Sequence, residues 1–97
     1  MKNSEEVILI KGEFTADDAK DVLLNLINFK INFHQMKNFG LQERTGKKDE
    51  QSLKRIEELK ESKQQILSIV DEAKAASAKL KIDSTINIAV TESSVAT

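Results

Sequence analysis

Residues 22–36 read VLLNLINFKINFHQM, and the fold turns on what this stretch needs around it. It holds nine apolar residues and a single formal charge, Lys30. Three stripes run along it at alternating three- and four-residue steps, the spacing of a helix face. Val22, Leu26, Phe29, Phe33 and Met36 make the first, and Leu24, Ile27 and Ile31 occupy a second side. Asn25, Asn28, Asn32 and Gln35 make the third, which is polar and uncharged. A helix apolar over most of its circumference is buried on most sides, so this one demands cover from more than one direction.

Upstream, residues 6–13 predict a strand. Val7, Ile8, Leu9 and Ile10 are mostly β-branched and make both faces apolar, and Gly12 marks the end. Thr15 then caps the helix, with Asp18 three residues on as in a capping box and Phe14 placed to staple onto Ala19. Asp17, Asp18 and Asp21 set negative charge at the positive end of the helix dipole. The helix is expected over 16–39, closed by Gly40 in a left-handed cap, with Leu41 reaching back to Met36 as in a Schellman motif. A rival reading carries it through Gly40 to Gly46, at about 1 kcal/mol for a glycine inside a helix.

Downstream, 40–48 is the expected loop, and Asp49 caps a second helix over 50–80. Leu59, Ile66, Ala73 and Leu80 recur there every seven residues, with Ile69 and Ala76 in the second seam position. Beyond Leu80 the period falls to two. Ile82, Ile86, Ile88 and Val90 alternate with Asp83, Thr85, Asn87 and Ala89, a half-buried strand over 82–91, and 92–97 reads as a frayed tail.

These elements define an α+β fold in a single domain, 1–97: strand, long helix, long helix, strand. The short loop makes the helices an antiparallel hairpin, which returns the chain to its start and pairs the strands as a two-stranded antiparallel ribbon. One partner helix and a lone ribbon, itself marginal in water, leave the first helix short of cover. Two copies forming a four-helix bundle would supply it, with the first helices inside and the second outside. The expected dimer surface is Val22, Leu26, Phe29, Phe33 and Met36 together with Leu24, Ile27 and Ile31. Five large apolar side chains contribute about 1.5–3 kcal/mol each when buried, against a typical association cost of roughly 4–15 kcal/mol.

Composition narrows the function classes. There is no cysteine, so disulfides, thiolate metal sites and cysteine nucleophiles are all excluded. Four phenylalanines are the only aromatic residues, which leaves little for base stacking. The net charge is -1, so any electrostatic role has to come from local clustering. Residues 1–6 are polar and unlike a secretory signal, and the apolar run 7–10 is far too short to cross a bilayer. A cytoplasmic setting is expected, and the preference for Lys over Arg (13 to 2) fits an AT-rich bacterial or phage genome.

Candidate chemistry is sparse. His34 is the only histidine, and its helical neighbours Lys30, Ile31, Lys37 and Asn38 are poor metal ligands. Glu13, Asp17 and Asp21 line one edge of the helix start, where capping and dipole effects already account for them. Arg44, Lys47, Lys48, Lys54 and Arg55 gather near the hairpin tip as candidate phosphate contacts, opposed by Glu43, Asp49 and Glu50. The polar stripe Asn25, Asn28, Asn32 and Gln35 is a candidate contact surface or register device, as a buried Asn is in coiled coils. No phosphate-binding glycine loop and no nucleophile–base pair is present.

The expectation is therefore a small, non-catalytic homodimeric interaction or scaffolding protein, with no cofactor, no metal and no membrane partner. Its first partner is itself, with a further protein partner left open. The alternative is a nucleic-acid-associated accessory protein that uses the basic tip. A third reading, an enzyme or ligand-binding subunit with a seam site near Asn25, Asn28 and His34, has the least behind it.

Overall fold

Two capped helices dominate the computed structural model, which describes residues 4–91. The element order is β1 (Ser4–Phe14), α1 (Ala16–Thr45), α2 (Glu50–Ala75) and β2 (Leu80–Ala89), an α+β arrangement. The two strands pair in one sheet. They run antiparallel, because Ser4–Glu6 at the start of β1 and Asn87–Ala89 at the end of β2 line the same shallow concavity. The tail expected over 92–97 lies outside the described residues.

By packing, the chain divides into two compact units, the helical hairpin Phe14–Leu80 and the strand ribbon formed by the segments on either side of it. The hairpin starts as its capping signals require. Thr15 is extended, and its hydroxyl accepts the Asp18 N–H at 3.1 Å. Asp49 does the same for α2, its Oδ1 accepting the Ser52 N–H at 3.1 Å and its Oδ2 the Ser52 hydroxyl at 2.9 Å. Those bonds satisfy Ser52, which is why a serine can sit buried in the helix interface.

The helices are antiparallel. Asp17, in the first turn of α1, accepts a bond from Lys74, in the last turn of α2, at 3.2 Å. Ile27 and Ile31 of α1 pack with Ile56 and Leu59 of α2, and Leu24, Leu53 and Ile66 close around them. Nearer the caps, Ala16 meets Val70 and Ala73, with Ile66 and Leu80 laid against them.

Three expectations need correction here. First, α1 does not end at Phe39. It runs through Gly40 to Thr45, and Gly46 takes the left-handed cap (φ 73°), its N–H donating to the Gln42 carbonyl at 2.8 Å. In this longer helix the part-buried Asn38 stands against the loop, where its Oδ1 accepts the Asp49 N–H at 2.7 Å, a tertiary bond that offsets part of the cost of an internal glycine. The connection shrinks from the expected 40–48 to the residues between Thr45 and Glu50.

Second, α2 stops at Ala75 rather than Leu80, in a run of good helix formers without glycine. Ser77 adopts the left-handed conformation (φ 52°). Ala78 N–H donates to the Ala73 carbonyl at 2.8 Å and Ser77 N–H to the Lys74 carbonyl at 3.1 Å, the two bonds of a Schellman motif. The turn lets Leu80 fold onto the Ala16–Val70–Ala73 cluster and begin β2, two residues earlier than expected.

Third, the α2 seam uses Val70 and not Ile69. Val70 is 2% exposed and Ile69 47%, so the inward positions run Ile56, Leu59, Ile66, Val70, Ala73. Ile69 and Val70 lie three and four residues past Ile66, both helix-face steps, and the packing against α1 selects between them. The strand bounds differ only at their ends, with β1 beginning at Ser4 and ending at Phe14, and β2 ending at Ala89.

Within the ribbon, burial is confined to one end. Ile10 is buried, and Leu80, Ile82 and Ser84 are half-buried. Val7, Ile8, Leu9, Ile86, Ile88 and Val90 are all exposed.

Candidate interaction surface

The hairpin interface leaves one side of α1 uncovered. Phe29 is 68% exposed, Met36 61% and Phe33 49%, and Leu26 and Phe39 are also open, while Val22 is half-buried. Val22, Leu26, Phe29, Phe33 and Met36 stand opposite the Leu24–Ile27–Ile31 side, which meets α2, and Phe39 lies on the flank between them. The eight residues expected at a dimer surface therefore separate into two groups. Leu24, Ile27 and Ile31 belong to the chain's own core, and Val22, Leu26, Phe29, Phe33 and Met36 form the outer stripe. Helical periodicity defines stripes, but it does not say which stripe meets the sister helix.

Lys30 lies beside this stripe with its Nζ 5.4 Å from the Phe33 ring centroid, a cation–π contact at an exposed site. On the other flank Asn25, Asn28, Asn32 and Gln35 are all exposed, so the polar stripe does not seal the hairpin. The amide at work inside the chain is Asn38, which sequence reading passed over. Besides accepting from Asp49, its Nδ2 donates to Gln42 Oε1 at 3.4 Å. No local pattern marks a bond between residues eleven apart across a loop, and it becomes readable only once α1 is known to pass Gly40.

His34 packs edge-on to Phe33, the ring centroids 5.2 Å apart, and its buried Nδ1 has no hydrogen-bond partner. Burial holds its pKa below the ordinary histidine value of 6.5, and Lys30, Arg55 and Lys37 add to that, with Asp49 opposing. An imidazole kept neutral beside three cations could in principle ligate a metal. Among the described residues, however, no group of three His, Cys, Asp or Glu side chains comes together to hold one.

At the tip, Arg44, Lys47, Lys48 and Lys54 are exposed, and Arg55 is engaged with Glu58 at 3.1 Å. The Asp49 carboxyl is held below its usual range by the Ser52 backbone N–H and then the Ser52 hydroxyl, so it stays ionised among these cations. Of the acidic edge expected at the start of α1, Asp17 is taken by Lys74. Among the described residues no helix is long and apolar enough to cross a membrane. No protein-family model, curated protein or solved structure matches this chain.

Proposed function

We propose that this chain is a non-catalytic interaction or scaffolding protein that works in the cytoplasm as a homodimer, with the outer side of α1 as its contact surface. The carrying observation is an imbalance among the described residues. Six large apolar side chains are buried (Ile10, Ile27, Ile31, Ile56, Leu59 and Val70), whereas twelve are exposed, five of them on α1. A contiguous apolar patch of that kind on a small protein marks an interaction site, and a helix face is a recurrent way of presenting one.

Sedimentation equilibrium and light scattering at micromolar concentration test the reading. The expected result is a particle of twice the chain mass. A stable 10.9 kDa species would overturn it.

The exposed Arg44, Lys47, Lys48 and Lys54 support an alternative, contact with a nucleic-acid backbone. Glu43 and Glu50 stand in the same segment, and Arg55 is already committed to Glu58. Titration with labelled DNA and RNA at low and moderate salt separates the readings, since phosphate contact must weaken steeply as salt rises.

A further inference from the structure

We infer that the outer stripe of α1 binds the same stripe of a second copy as a parallel, in-register helix pair, with Gly40 as its point of closest approach. This rests on the homodimer reading and adds a face, an orientation and a register.

The stripe is a strict repeat. Val22, Leu26, Phe29, Phe33, Met36 and Gly40 follow one another at steps of four, three, four, three and four, the a/d pattern of a coiled-coil seam. The seam lies wholly within α1 because that helix continues past Gly40. From their exposed fractions, Leu26, Phe29, Phe33, Met36 and Phe39 offer about 500 Å² per copy, taking roughly 200 Å² for an aromatic side chain. Two copies would bury about 1,000 Å², the size at which specific association begins.

Gly40 supplies an independent observation. A glycine inside a helix weakens it, and nothing within the chain asks for one here. Its φ is not positive, and a Cβ built on it would meet only the Arg44 guanidinium, at an ordinary 3.8 Å. Its place on the outer seam gives it a use, because a residue without a side chain lets another backbone come close.

The flanks choose the orientation. One flank carries Lys30, Lys37 and Arg44 at seven-residue intervals, and the other carries Asn25, Asn32 and Phe39. An antiparallel pair sets each flank against its own kind and would bring the cationic rows together. A parallel pair sets one flank against the other. Lys30 then faces Asn25 of the second copy, Lys37 faces Asn32, and Arg44 lies over Phe39, where a guanidinium on an aromatic face is attracted. An acidic helix from another protein would also satisfy the cationic row, but it would leave Gly40 and the Arg44–Phe39 match without a role.

The absence of native cysteine makes the test direct. Under mild oxidation Leu26→Cys alone should give a disulfide-linked dimer, whereas mixing Leu26→Cys with Met36→Cys should give no excess of the mixed species. Phe29→Glu should keep its helix content by circular dichroism and dissociate at least about a hundredfold more readily. Gly40→Ala should raise the thermal stability of dilute protein yet weaken dimerisation about tenfold, an opposition of sign that a purely intrachain glycine would not show. If the mixed Leu26–Met36 species forms and the Leu26 homodimer does not, the parallel orientation is wrong. A Phe29→Glu protein that dimerises like the parent shows that the face is wrong while self-association survives. A monomeric parent protein removes the homodimer reading as well.

Discussion

Ile31 and Phe29 sit two residues apart on α1, and alanine at each should produce opposite kinds of loss. Ile31 is 9% exposed against Ile56 and Leu59, so truncating it opens a cavity in the hairpin. Buried Ile→Ala changes cost about 2–5 kcal/mol. With about 4–8 °C of melting temperature per kcal/mol in a domain of this size, the midpoint should fall by about 8 °C or more at every protein concentration. Phe29 is 68% exposed, so within one chain only about 60 Å² of a 200 Å² ring is covered, some of it by its own helix. At 25 cal/mol per Å² its truncation costs a single chain at most about 1.5 kcal/mol. In the proposed homodimer the remaining 140 Å² is covered as well, about 3.5 kcal/mol per copy. Thermal and urea unfolding, followed by circular dichroism from sub-micromolar to hundred-micromolar protein, separates the two cases. Phe29→Ala should fall modestly behind the parent when dilute and progressively further behind as concentration rises, since mass action stabilises only the form that dimerises. Equal, concentration-independent losses from both variants would refute the assignment of the two faces.

Ser77 holds a left-handed conformation that costs an L-residue about 1–2 kcal/mol, so Ser77→Gly should stabilise the hairpin by about 0.5–1 kcal/mol, net of the greater freedom of glycine in the unfolded chain. A lower urea midpoint would contradict this. Thr15→Ala removes the acceptor of the Asp18 N–H and should cost about 1 kcal/mol, measured in the same way. The lowered pKa of His34 means that the unfolded chain binds its proton more readily, so this contribution is complete above pH 6.5 and is lost as pH falls through 6.5 towards the folded value. His34→Gln should flatten that part of the stability–pH curve, and an unchanged slope would discount the residue. Asn38→Ala leaves the Asp49 N–H without its acceptor and should lower stability by about 1–3 kcal/mol, with faster amide exchange across residues 46–49.

The sequence was most legible where the physics is local. Thr15 and Asp49 announce their helices because a cap needs only a hydroxyl or carboxylate three residues before the donor it satisfies. The element order followed from a change of period at Leu80 and from the apolar run beginning at Val7. Choices between equivalent local options were not legible. Gly40 and Gly46 are both competent caps by local pattern, and the bond from Asp49 to Asn38, which accompanies the longer helix, has no local signal. Ile69 and Val70 are both one helix-face step past Ile66, and α1 picks Val70. The end of α2 depends on a serine accepting a backbone conformation that serine rarely takes. On α1, the stripe of Leu26, Phe29, Phe33 and Met36 could be read from spacing alone. That Leu24, Ile27 and Ile31 serve the chain's own core could not, because it depends on where the second helix lies.

A second copy of the same chain is the economical cover for such a stripe, for a reason of symmetry. Association carries roughly 4–15 kcal/mol of lost freedom whichever partner is used. In a two-fold pair every seam residue is buried twice, so Phe29, Phe33 and Met36 count as six side chains against that single cost. A foreign helix covers them once and must bring its own apolar surface. The cationic row Lys30, Lys37 and Arg44 then acts as the device that rejects wrong pairings. It adds little attraction in the parallel pair and disfavours the antiparallel one. That repulsion makes the choice dependent on ionic strength: molar salt should screen the row and raise the yield of the mixed Leu26→Cys/Met36→Cys species relative to its near absence at low salt. A mixed yield unaffected by salt would mean that the flanks do not set the orientation, and shape along the seam would have to do so instead.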